Sequence, residues 1–63
     1  MKRFEVGKAY HTFDLIYECV DRSGGLATFR VYNFRSEWVT DAINIIHGSE
    51  HEYIIRCNSC VYA

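Results

Sequence analysis

Proline is absent from the 63 residues, glycine appears four times, and methionine and tryptophan once each. With so little chain-breaking chemistry, no low-complexity tract and no block of five like charges, nothing marks a linker or a repeat, and a single small domain over 1–63 is expected. Long hydrophobic runs are missing too. The apolar stretches are short, such as Ile45-Ile46 and Tyr53-Ile54-Ile55, against the roughly 18 residues of a membrane-spanning helix, so no membrane association is expected. An excess of one charge is also lacking. Seven Lys and Arg stand against eight Asp and Glu, a net charge of -1, which removes the usual electrostatic ground for a nucleic-acid-coating protein. Three cysteines are an odd number, and Met1-Lys2-Arg3-Phe4-Glu5 places acid before any apolar run of signal-peptide length. The expectation is a cytoplasmic protein with reduced thiols and no disulfide needed for folding. A chain this short hides only about 60% of its unfolded surface, too little for a cleft, a substrate pocket and a lid, and a non-enzymatic module is expected.

What the sequence has is a hydrophobic fraction of 49% and an aromatic fraction of 16%, far from disordered compositions. Leu15 to Val20 and Leu26 to Tyr32 are rich in aromatic and β-branched residues, and Asp21-Arg22-Ser23-Gly24-Gly25 between them supplies positions for a tight reversal. Pairing Val20 with Leu26 sets Cys19 opposite Ala27, Tyr17 opposite Phe29 and Leu15 opposite Val31, and that face is the expected core. Ile16, Glu18, Val20, Leu26, Thr28, Arg30 and Tyr32 fall on the reverse face, with Glu18 near Arg30. A first strand is expected over Ala9 to Thr12, another over Glu52 to Cys57 with Tyr53, Ile55 and Cys57 on one side, and a short edge strand over Cys60 to Ala63.

The segment Ser36 to Gly48 reads two ways. A 3.6-residue period gathers Trp38, Val39, Ala42, Ile43 and Ile46, with Ser36 as N-cap and Gly48 beyond the end. A period of two, with many β-branched residues, reads as strand. The expected fold is therefore all-β, an SH3-like barrel or a bent five-stranded antiparallel sheet, with an α+β alternative carrying a helix near 37–47.

Phe4-Glu5-Val6-Gly7-Lys8-Ala9-Tyr10-His11-Thr12 resembles the F-x-V-G-K-x-Y-x-T opening of a family of short, uncharacterised β-rich proteins of bacteria, phages and mobile elements. Ile43, Ile45, Gly48-Ser49-Glu50, Tyr53-Ile54 and Val61-Tyr62-Ala63 are similar to the rest of that pattern in outline. The Asp21 to Gly25 segment departs from it, since the family carries basic residues there. The resemblance implies the strand form of Ala42 to Ile46 and assigns no catalytic or ligand residue.

Two constellations carry candidate chemistry. His47, His51, Cys57 and Cys60 follow H-x3-H-x5-C-x2-C, a complete set of ligands for a tetrahedral zinc, the one cofactor the sequence suggests. The alternative makes the histidines flank a solvated turn, Cys57 a buried strand residue and Cys60 an apolar filler. A redox role for Cys57 and Cys60 is set aside because no helix can follow to lower a thiol pKa. The second constellation is Arg30, Tyr32, Phe34, Arg35 and Trp38, large rings beside basic groups. They suit a protein-binding surface, with a host protein or a second copy of the chain as partner. The runner-up is single-stranded nucleic acid stacked on the same rings beside Arg22, Arg30 and Arg35.

Overall fold

A computed structural model describes residues 1–63. The chain forms seven strands and no helix: β1 (Ala9–His11), β2 (Ile16–Ser23), β3 (Leu26–Tyr32), β4 (Trp38–Asn44), β5 (Ile46–His47), β6 (Glu52–Arg56) and β7 (Ser59–Tyr62). The first four make an antiparallel sheet in the order β1-β2-β3-β4, and the last three a second sheet in the order β5-β6-β7. The all-β expectation holds in its bent-sheet form, with seven strands in place of five. No barrel closes, because no hydrogen-bonded ladder joins the two sheets.

The helix at 37–47 does not form. Trp38 to Asn44 pair residue for residue with Tyr32 to Leu26. As a strand, β-branched Val39, Thr40 and Ile43 suit the pleat and give β3 its second ladder partner. The helix-capping roles fall with the helix. Ser36 lies in the turn before β4 with φ 61, and Gly48 sits so close to the His51 carbonyl that a Cβ would lie 2.7 Å from its oxygen.

The β2-β3 hairpin has the expected core face but a different register. Asp21 to Ser23 extend β2 instead of looping, leaving Gly24-Gly25 as the turn, with Gly24 at φ 60. Cys19 faces Phe29 and Tyr17 faces Val31, a slip of two from the expected pairs that preserves every face. A bulge between Cys19 and Asp21 leaves Val20 unpaired and reverses the alternation beyond it. Tyr17 and Cys19 point inward before the bulge; Arg22, opposite buried Ala27, points inward after it. A regular strand would have placed Arg22 on the outer face with Ile16 and Glu18.

The core gathers Phe4, Tyr17, Cys19, Ala27, Phe29, Val31, Ile45, Ile54 and Val61. Phe29 meets Phe4 and Tyr17 edge-to-face at centroid distances of 5.3 and 6.0 Å, geometries that match the positive edge of one ring to the negative face of the next. On β6 the inward side is Glu52 and Ile54, so Tyr53 and Ile55 occupy the outer side. Cys57 is not a buried strand residue. It is exposed at φ 51 and, with Asn58 at φ 62, forms the two-residue turn between Arg56 and Ser59. Two successive positive φ angles match the twist of flanking strands.

One buried ion pair joins the sheets. Glu52, 0% exposed, accepts both terminal nitrogens of Arg22, with Nη2 to Oε2 at 2.7 Å, and also the Phe4 N–H at 3.0 Å. Arg22 donates further to the Phe4 and Gly24 carbonyls at 3.0 and 3.1 Å. The Arg22 guanidinium holds the Glu52 carboxyl down at about 2, the Phe4 N–H helping and burial opposing. This pair is why the bulge matters: it turns Arg22 toward β6. A second link, Arg56 Nε to Asp41 Oδ2 at 2.9 Å, ties β6 to β4.

Candidate binding surface

Two hairpin turns meet at one end of the four-stranded sheet. In the β1-β2 turn, Thr12 N–H donates to the Leu15 carbonyl at 3.0 Å and Leu15 N–H to Thr12 Oγ1 at 3.2 Å, which pushes Phe13 and Asp14 to the tip. In the β3-β4 turn, Asn33 Oδ1 accepts the N–H groups of Arg35 and Glu37 at 2.9 and 3.1 Å. That side chain stands in for a backbone acceptor and projects Phe34 and Arg35. Phe13 is fully exposed and Phe34 83% exposed. Between the turns lies an open pocket of about 290 Å³, its walls made by Phe13, Leu15, Ile16, Tyr32 and Phe34 and its rim by His11, Thr12, Asp14 and Asn33.

The outer face of the sheet continues from this pocket. The registers set Ile16, Tyr32 and Trp38 in one row across three strands, and Glu18, Arg30 and Thr40 in the next. The Arg30 guanidinium lies 5.0 Å from the centre of the Trp38 ring, and Tyr32 is 6.2 Å from Trp38. Glu18 lies 3.9 Å from Arg30 and accepts the Tyr32 hydroxyl at 3.3 Å. Arg35 covers the Phe34 ring at 5.3 Å. All five residues of the aromatic and basic constellation thus share one surface: Arg30, Tyr32 and Trp38 on the sheet, Phe34 and Arg35 on the turn beside it. Phe13, Ile16 and Leu15 complete it and were missed from sequence. Phe13 falls one residue past the first strand expected over Ala9 to Thr12, and the polar Thr12 and Asp14 around it are a turn signal.

Of the basic residues near this surface, Arg35 lies over a ring rather than an acid. Arg30 is matched by Glu18, and Arg22, grouped with it in the nucleic-acid alternative, is engaged by Glu52 at the joint between the sheets.

The His and Cys residues lie around the second sheet. His47 is on β5 with Nδ1 3.3 Å from Glu52 Oε2. His51 meets Tyr62 edge-to-face at 6.2 Å, Cys57 is in the β6-β7 turn, and Cys60 is opposite Ile55. No three His, Cys, Asp or Glu side chains come together in a group that could hold a metal ion. Cys19 is buried among the core rings, which pushes its thiol pKa up and leaves it a poor nucleophile. No family model, no curated protein and no solved structure matches the chain.

Proposed function

We propose that the chain is a non-enzymatic protein-interaction module that docks a partner on the end and outer face of its four-stranded sheet. The observation that carries this reading is the pair of exposed rings, Phe13 and Phe34, bracketing an open pocket on two adjacent turns. A thin core has every reason to recruit such rings, since each buries 150 Å² or more when covered, yet both are held outward by hydrogen-bonded turns. Large exposed rings with Arg30, Arg35, Asp14 and Glu18 nearby have the composition of a binding hot spot. The resemblance of the opening motif adds a setting: a phage or mobile-element protein acting in the cytoplasm on a host protein.

The test is capture from a bacterial lysate, with and without nuclease, by the parent chain and by Phe13→Ser/Phe34→Ser. A protein retained after nuclease by the parent and lost by the double variant supports the reading. The variant is expected to keep parental stability within about 0.5 kcal/mol, because neither ring is buried. Capture of nucleic acid that about 0.5 M salt releases would replace the reading with the stacking alternative on Trp38, Tyr32 and Arg30.

A further inference from the structure

Strand β4 is the outer edge of its sheet, and its free side has a definite polarity. Asn33 N–H donates to the Glu37 carbonyl just before the strand, and Ile45 N–H to the Gly25 carbonyl just after it. These bonds bracket the β3-β4 ladder and fix its phase: Val39, Asp41 and Ile43 exchange bonds with β3, while the N–H and C=O groups of Trp38, Thr40, Ala42 and Asn44 point away from the sheet. No other backbone group bonds to them.

Natural edges are blunted by short strands, bulges, proline, lysine or an inward-pointing charge. The other edges here are short: β1 has three residues, β5 two and β7 four. Strand β4 has seven in an unbroken register and contains neither Lys nor Pro, and its one inward-facing charge, Asp41, is neutralised by Arg56 of the same chain. Its first two residues, Trp38 and Val39, are 51% and 55% exposed.

We propose that β4 pairs antiparallel with β4 of a second copy, about a two-fold axis through Thr40, to form one continuous eight-stranded sheet. The side chains select the second copy and the register. An axis through Asp41 would set two carboxylates directly opposite each other at the close spacing of a non-hydrogen-bonded pair, crowding the Arg56 that each already holds. An axis through Ala42 would leave Trp38 outside the overlap. The axis through Thr40 sets Asp41 against Val39 of the second copy and Thr40 against Thr40. It also seats the largest side chain of the strand, Trp38, over one of the smallest, Ala42, at both ends. Three residue pairs then exchange about six hydrogen bonds, all from groups that now face solvent. Arg30, next to Thr40, brings no net charge to the seam because Glu18 lies beside it. The Tyr32–Trp38 row of each copy becomes continuous with the other copy, while the Phe13 and Phe34 turns stay free. The proposal is independent of what those turns bind.

Sedimentation equilibrium is expected to give a dimer at about 100 µM protein, dissociating on dilution as a micromolar contact would. Thr40→Pro removes an N–H that faces only the edge, so the variant should keep its circular dichroism spectrum and sediment as a monomer. In a Cys57→Ser/Cys60→Ser background, Thr40→Cys should cross-link to itself on mild oxidation, since opposed residues in a hydrogen-bonded pair lie about 5.5 Å apart at Cα, within disulfide range. Asn44→Cys should not. A monomer for the parent at about 1 mM, or cross-linking at residue 44 as efficient as at residue 40, overturns the proposal.

Discussion

Ser36 holds a left-handed backbone at φ 61, a conformation that costs an L-residue about 1–2 kcal/mol and glycine almost nothing. The turn around it is maintained by the Asn33 side chain and by Ser36 N–H donating to the Asn33 carbonyl at 3.0 Å. Replacing Ser36 with Gly removes the steric cost but adds unfolded-state entropy. The net expectation is a gain of about 0.5 kcal/mol, read as a rise of a few degrees in the thermal midpoint. Gly48→Ala should act the opposite way. Its Cβ would meet the His51 carbonyl oxygen at 2.7 Å, and the Gly48 N–H to His51 bond at 3.0 Å would have to open. A loss of about 1–2 kcal/mol is expected from urea melts. Gly48 was visible in the sequence as punctuation, but its purpose was not. A helix end and a close backbone approach ask for the same residue, and only the neighbour that the added carbon would strike distinguishes them.

Strand β2 shows which features of an element its residues disclose. The alternation of Tyr17 and Cys19 against Ile16 and Glu18 revealed the core face, because a period of two is written in the side chains themselves. Its register was not disclosed, since a slip of two keeps every face and leaves the pattern unchanged. The bulge at Val20 was equally hidden. It rests on Arg22 finding Glu52 thirty positions away, a pairing no local window contains. Strand β4 was ambiguous for a related reason: its β-branched residues favour the pleat only when β3 offers a ladder. The phase of that ladder predicts a pattern in amide hydrogen exchange. In dilute, monomeric protein the amides of Val39, Asp41 and Ile43 should be protected, and those of Thr40, Ala42 and Asn44 should exchange quickly. Equal protection along the whole strand under those conditions would contradict the assigned phase.

At the scale of the whole molecule, two small sheets are held by a shared apolar core and by the Glu52 carboxylate, which receives Arg22 from one sheet and the Phe4 N–H from the N-terminal segment. The sequence does not mark Glu52 as buried, because the alternation of β6 reads with Tyr53 and Ile55 sharing a side and nothing local shows that the other side faces a cation. Its depressed pKa makes the joint sensitive to acid. A carboxyl near 2 in the folded protein and about 4.5 when free contributes stability that is complete above the unfolded value. That contribution is lost as pH falls from about 5 toward 2, where the folded state must also take up the proton. Glu52→Gln keeps the shape but leaves Arg22 buried without its counter-charge, a change that costs about 3 kcal/mol, a large part of what a domain of this size possesses. Urea melts should therefore show a marked loss at pH 7 and a much flatter dependence on pH between about 5 and 2. Replacing both partners, Arg22→Met with Glu52→Met, removes the unpaired charge, and an isolated buried ion pair can be exchanged for apolar contacts at little cost. Here the Phe4 N–H and C=O would both lose their partners, so the double variant should recover only part of the loss. Full recovery would mean that the joint is held by packing alone.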